Sequence, residues 1–313
     1  MSSEPDQPPA YSPFALVTDP SDFGLVTSAL RRSAGRVVAR HAPARTGERA
    51  TVFLHGAAGS WTTWTPMLSA ARAAGIHIAD PVLLDLPGWG DATPEPGDEP
   101  LTVDAVCGLV TDLLLELGYT EWDLVGHSLG GFVALHLAAV RPGSVRSVGL
   151  VSGTTYAVIE SVGDPVRGLR ELPGFTLLLF FFRMMAPVQP FALLALGGLR
   201  RIGLLRLASF PLFRHLARID RSVIDALSVE LRPRSFVTAA EVARGYDADS
   251  SWSRIVCPVV AVRGDRDVFV ADDDYARLTR VVPGLSHSVL ADCGHFGNVE
   301  RPAQALRALG FTA

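Results

Sequence analysis

Several short apolar runs punctuate the 313-residue chain, and each ends in a glycine or a polar residue. They are "TVFLHG" at 51–56, "PVLLDLPG" at 81–88, "WDLVGHS" at 122–128, "SVGLVSG" at 147–153, "PVVAVRG" at 258–264 and "SVLADCGH" at 288–295. None alternates strictly between apolar and polar. Apolar character on both faces marks a central parallel strand, because helices cover both sides of the sheet. Helical patterns lie between the runs. The clearest spans 102–117, where Val103, Val106, Leu109, Val110, Leu113, Leu114 and Leu117 recur at spacings of three and four. Thr102 is placed to cap it and Gly118 to close it. Residues 271–281 and 302–309 read the same way, with "ADDD" at 271–274 as a helix cap. Strand alternating with helix predicts an α/β fold with a right-handed, mostly parallel sheet. Ligands of such sheets meet the loops at the carboxyl ends of the strands.

The rhythm breaks over residues 154–235. "GFTLLLFFFRMMAP", "FALLALGGLRRIGLLRLASFPLF" and "RSVIDALSVELRP" are helical and intensely apolar. Arg183, Pro187, Pro190 and the pair Arg200-Arg201 interrupt every run below the roughly 18–20 apolar residues that a membrane span needs. The pattern therefore predicts an inserted helical lid that packs on the core and lines a greasy pocket, with weak contact to a membrane surface as a further expectation. The expected division is a flexible N-terminal tail at 1–20, core at 21–153, lid at 154–235 and core again at 236–313.

Composition changes this picture little. The chain is 48% hydrophobic and 19% charged with a net charge of −4, so nothing suggests a nucleic-acid partner. All 28 basic residues are arginine, which excludes lysine chemistry such as a Schiff base. Cys107, Cys257 and Cys293 are odd in number and scattered. They form neither a disulfide framework nor a metal-ligand spacing. With an acidic, proline-rich start that lacks a signal-peptide pattern, they point to buried thiols in a cytoplasmic protein.

The candidate chemistry starts at "VGHSLGG", 125–131. Ser128 stands after a strand and before a helix. Gly126 and Gly130 permit a sharp turn that lifts its hydroxyl above the sheet, at the positive end of the helix. A serine nucleophile needs a base, a group to orient that base, and donors for an oxyanion. His295 follows the final predicted strand and is the candidate base. Asp265 and Asp267 end the strand before it, and either is a candidate acid. The order Ser, Asp, His is the order of an α/β-hydrolase. "FLHGAAGSW" ends an early strand, and the N–H groups of Ala57 and Leu129 are candidate oxyanion donors.

Four motifs in order carry a resemblance to the α/β-hydrolase superfamily, in its lid-bearing serine esterase and lipase-like branch. They are "HGAAGSWTTW", "DLPGWGDAT", "GHSLGG" with "RPGSVRSVGLVSG", and "GDRD" followed by "DCGHFGNVERP". The resemblance covers residues 36–309. It implies the α/β-hydrolase fold, with Ser128 as nucleophile, His295 as base and Asp267 as acid, and no metal or cofactor. The proline usual after that aspartate is replaced by Val268-Phe269-Val270. His55 is then expected to support the oxyanion loop, His127 to pack, and Asp85 to be structural. Gly56, Trp61, Trp89 and Phe296 are expected at the substrate site, and Cys293 to be buried. Dehalogenase and epoxide-hydrolase relatives carry aspartate where this chain has Ser128. The implied reaction is hydrolysis of an apolar carboxylic ester. Carbon–carbon hydrolysis of a vinylogous diketone, thioester or lactone cleavage, acyl transfer and a non-catalytic binding role are the alternatives.

Overall fold

A computed structural model describes residues 10–95, 97–204, 206 and 209–313. Eight strands form one sheet: β1 Val26–Arg32, β2 Gly35–His41, β3 Arg49–Leu54, β4 Pro81–Asp85, β5 Glu121–His127, β6 Val145–Val151, β7 Val259–Gly264 and β8 Leu285–Leu290. Their spatial order is β1-β2-β4-β3-β5-β6-β7-β8. From β4 to β8 every pairing is parallel, and β1 and β2 add an antiparallel edge.

The apolar runs work as the two-faced pattern requires. Val52 and Leu54, Val82 and Leu84, Leu124, Leu150 and Ala261 belong to a core on one face of the sheet. Their neighbours Phe53, Leu83, Val125, Val151 and Val262 belong to the core on the other. Alternate residues of a strand point to opposite faces, so each run is buried twice. Helices α1 Thr65–Ala73, α2 Val103–Glu116 and α3 Leu129–Val140 flank the sheet. Thr102 caps α2 by accepting the Ala105 N–H at 3.1 Å.

Between β6 and β7 lie α4 Tyr156–Gly163, α5 Pro165–Glu171, α6 Pro173–Met185, α7 Gln189–Arg201, α8 Arg221–Glu230, α9 Pro233–Val242 and α10 Ala248–Trp252. The boundary expected at residue 235 falls inside α9. Val158 and Val162 of α4, Phe175, Leu179 and Phe182 of α6, and Phe236 and Ala240 of α9 make a separate apolar cluster. No helix among the described residues is long and apolar enough to cross a membrane. After β7 come α11 Asp274–Val281 and, beyond β8, α12 Gly297–Glu300 and α13 Pro302–Ala308.

Two expectations need correction. Residues 10–20 are not a loose tail: Tyr11 is buried, its hydroxyl donates to Glu300 at 2.5 Å, and the Ser12 N–H donates to the Glu300 carbonyl at 2.7 Å. The nine residues before them lie outside the described residues. The last strand ends at Leu290 rather than near His295, so 291–296 is a loop. The hairpin β1–β2 was not anticipated.

Candidate active site

Ser128 occupies the turn between β5 and α3 with φ 49° and ψ −119°. An L-residue in such a sparsely populated region costs on the order of 1–3 kcal/mol and persists only where the surroundings enforce it. Here the surroundings are hydrogen bonds and glycines. The Ser128 N–H donates to the Val151 carbonyl at 3.2 Å, and its own carbonyl accepts from Gly131 and Thr154, both at 2.9 Å. A Cβ on Gly126 would lie 2.4 Å from the Gly130 carbonyl oxygen, and one on Gly130 would lie 2.0 Å from that of Leu54. The turn closes only because both are absent. Ser128 thus sits directly before the first residue of α3, where the helix dipole favours negative charge.

His295 and Asp267 meet on the loops that follow neighbouring strands, β8 and β7. His295 Nδ1 lies 2.8 Å from Asp267 Oδ1, which also accepts the Phe269 N–H at 2.9 Å. Both side chains are buried. With Nδ1–H donating to the carboxylate, a neutral ring keeps its lone pair on Nε2. Phe269 packs edge-on to the ring, 4.8 Å between centroids. Asp265 instead accepts the Cys293 N–H at 3.0 Å and is exposed, so it shapes the loop and does not reach His295.

His127 Nε2 donates to the His295 carbonyl at 3.1 Å. Burial, then the neighbouring His295, pushes the His127 pKa well below its ordinary value. Both nitrogens of His55 are engaged: Nδ1 donates to the Gly56 carbonyl at 2.7 Å and Nε2 accepts the Leu86 N–H at 2.9 Å. Burial lowers its pKa and holds it neutral. Asp85 accepts from the Trp61 N–H at 2.8 Å, the Asp91 N–H at 3.0 Å and Arg40 at 3.1 Å, a structural set.

Ser128, Leu129, Ala57, His295 and Phe296 line one cavity of about 90 Å³. Among the described residues no hydrogen bond joins Ser128 Oγ to His295; the two share the cavity wall. Leu129 is the first residue of α3, so its N–H has no partner within the helix. The Ala57 amide lies outside the local turn bond, which Gly59 makes to Gly56. Phe132, Phe175, Phe182, Phe236 and Phe269 supply most of the rest of the wall with Val158 and Leu and Ala residues, and Thr154 and Ser209 are its further polar members. Leu178, Phe182, Leu212, Leu231 and Phe269 also line an adjoining apolar groove of about 650 Å³.

Three of the expected substrate-site residues lie off this wall. Trp61 is buried beneath Arg40, and Trp89 packs edge-on to His55, because both hold the loops around Asp85. Gly56 backs onto the serine turn: a Cβ there would lie 2.7 Å from His127 Nδ1 and 2.9 Å from Ser128 Cβ. Sequence reasoning missed Glu300. It accepts from the Gly294 N–H at 3.0 Å, the Phe296 N–H at 3.2 Å and the Arg214 N–H at 2.8 Å, and so clasps the loop on both sides of His295. Burial raises its pKa. It stands inside the quoted "GNVERP", but a glutamate beside an arginine reads as solvent-facing.

Residues 51–309 match the alpha/beta hydrolase family. The chain belongs to that family. A bifunctional epoxide hydrolase 2 of Mus musculus is 21% identical over 83% of this chain and 50% of its own length. The chain thus spans about half the length of the first curated relatives it matches. A 2-hydroxy-6-oxononadienedioate/2-hydroxy-6-oxononatrienedioate hydrolase of Pseudomonas putida is 28% identical over 81% of this chain and 84% of its own. Among solved structures, a thermophilic esterase of Thermogutta terrifontis superposes with a TM-score of 0.62 at 20% identity, covering 90% of this chain and 96% of that one. That likeness concerns the fold alone.

Proposed function

We propose that this alpha/beta hydrolase cleaves a carboxylic ester of an apolar substrate through an acyl-enzyme on Ser128. The reading rests on one observation above the others. A serine held at φ 49° shares an apolar cavity wall with a buried histidine whose Nδ1 is paired to a buried carboxylate. His295 Nε2 takes the Ser128 proton as Oγ attacks the carbonyl. Asp267 fixes the ring tautomer and stabilises the imidazolium. The N–H groups of Ala57 and Leu129 hold the oxyanion of the tetrahedral intermediate, each contributing roughly 3 kcal/mol in the transition state. The alcohol leaves with the proton from His295. Water, deprotonated by the same ring, then releases the acid. The helices of residues 154–235 act as a lid over the core formed by 21–153 and 236–313, and the adjoining groove takes the acyl chain.

The Pseudomonas relative favours carbon–carbon hydrolysis as a second reading on the same triad. Its named substrate is a dicarboxylate, however, and the described cavity wall carries no arginine to receive a carboxylate. Epoxide opening fits less well, since serine stands where those relatives use aspartate. The deciding experiment is a p-nitrophenyl butyrate assay on wild type and Ser128→Ala, with fluorophosphonate labelling alongside. Wild type is expected to hydrolyse the ester and label at Ser128, and the alanine variant to do neither while keeping its far-UV spectrum. Wild-type turnover by the alanine variant would sink the proposal.

A further inference from the structure

Among the described residues, nothing covers the outer surface of α6 and α7. On α6, Phe175, Leu179 and Phe182 point into the core at helical spacing. Leu177, Phe180, Phe181 and Met184 occupy the opposite side and are exposed, Phe180 by 63%. On α7 Phe191 and Leu194 are exposed, by 74% and 75%, and Ile202 directly after the helix is exposed as well. A helix apolar all round belongs in a core or against lipid, and contiguous exposed patches of this kind mark interaction surfaces.

Charge says what meets this one. Residues 172–219 contain not one aspartate or glutamate, although the chain holds 32 of them. The same stretch carries Arg183, Arg200, Arg201, Arg206, Arg214 and Arg218, in a protein of net charge −4. Arg183 is neutralised by Glu241 at 2.7 Å and Arg214 by Asp292 at 3.3 Å. Arg200 and Arg201 close α7 beside Ile202, are exposed, and form no ion pair among the described residues. An apolar face edged by unpaired arginines and free of acids complements an anionic lipid surface: the rings and aliphatic chains enter the acyl boundary while the guanidinium groups meet phosphates.

We propose that the α6–α7 face docks on an anionic phospholipid surface. The adjoining groove opens on that side, since Phe181 of α6 and Leu196 and Leu199 of α7 line it, while its carboxylates, Glu171, Asp267 and Asp272, come from outside these two helices. Docking does not depend on the hydrolytic reading, so Ser128→Ala is expected to bind lipid as wild type does.

Co-sedimentation with sucrose-loaded vesicles tests this. The protein is expected to sediment with vesicles of equal parts phosphatidylcholine and phosphatidylglycerol, to do so far less with phosphatidylcholine alone, and to be released by salt. Arg200→Gln with Arg201→Gln is expected to weaken partition about thirtyfold, from about 1 kcal/mol per surface arginine. Phe191→Glu with Leu194→Glu is expected to abolish it. None of these four residues lines the cavity or the groove, so hydrolysis of a soluble ester should be unchanged and reports intact folding. Absence of vesicle binding at low salt, or binding indifferent to lipid charge, overturns the proposal. So does a self-associating protein whose dimer, rather than vesicle binding, is lost in the glutamate variant.

Discussion

Gly130→Ala and Gly108→Ala place the same methyl group on two helices with opposite expected results. Gly108 lies in the middle of α2, and a Cβ there meets nothing within 4 Å. Alanine should then stabilise the protein by about 1 kcal/mol through helix propensity alone. At Gly130 the same propensity gain applies, but the Cβ would lie 2.0 Å from the Leu54 carbonyl oxygen, 2.5 Å from its carbon and 2.7 Å from the His55 carbonyl oxygen. These are backbone atoms at the end of β3, so no rotamer change relieves the contact. Overpacking of this kind costs roughly 3 kcal/mol at the upper end of its usual range. The net expectation is a loss of about 2 kcal/mol, the difference between those two estimates. The displaced segments carry the two amides assigned to the oxyanion, Ala57 after β3 and Leu129 at the start of α3. Separating them should cost about 10²–10³ in kcat, as losing one donor does. Equilibrium urea unfolding and p-nitrophenyl butyrate kinetics on both variants measure the two effects. A Gly130→Ala protein as stable and as active as Gly108→Ala would refute the reasoning.

Two further substitutions probe single groups. Asp267→Asn should lower kcat about 10⁴-fold with little change in the unfolding midpoint, because an amide presents a donor to His295 Nδ1 and selects the wrong tautomer; activity within tenfold of wild type would remove Asp267 from the triad. Asp274 is buried where it accepts the Ala157 N–H at 3.0 Å at the start of α4, and desolvation by burial raises its pKa from 3.8 to about 6. Its carboxyl therefore adds stability below pH 3.8 that is lost as pH rises through about 6, by about 3 kcal/mol at most. Urea midpoints across that window should slope downward for wild type relative to Asp274→Asn, and parallel profiles would count against the assignment.

The parts of this molecule legible in the sequence are those fixed by local pattern. The runs at 51–56, 81–88, 122–128, 147–153 and 258–264 became strands because central parallel strands bury both faces and so announce themselves. The edges escaped for the same reason. β8 buries only Leu285 and Leu290, so its polar start "LSHS" looked like loop and the strand was expected too late. β1 exposes most of its length, and β2 hides its neighbour's charge by pairing Arg40 with Asp85, a contact across 45 residues. Tyr11 and Glu300 lie 289 positions apart, and no local rule joins them. Likewise, the expected Phe296 lines the cavity, but its other aromatic residues are Phe132, Phe175, Phe182, Phe236 and Phe269 rather than the tryptophans beside the motifs, since helix packing decides which rings face inward.

Strand order explains why the Asp267–His295 contact and the shared wall of His295 and Ser128 have different origins. β7 and β8 are adjacent and parallel, so the loops after them emerge side by side. The 2.8 Å contact between Asp267 and His295 follows from that adjacency. Ser128 follows β5, three strand positions from β8, which is about 14 Å at the usual strand spacing. The loop carrying His295 must travel back across β7 and β6 to reach it. Along that path the Arg266 N–H donates to the Cys293 carbonyl at 3.0 Å and the His295 N–H to the Leu212 carbonyl at 2.9 Å. Glu300 binds the loop at Gly294 and Phe296. At its far end His127, the last residue of β5, holds the His295 carbonyl. His127 also directly precedes Ser128, so its side chain ties the histidine's backbone to the strand that ends in the serine. The Asp267–His295 pair is thus set by sheet topology, whereas the placement of His295 beside Ser128 on the cavity wall is set by a loop fastened through Glu300 and His127.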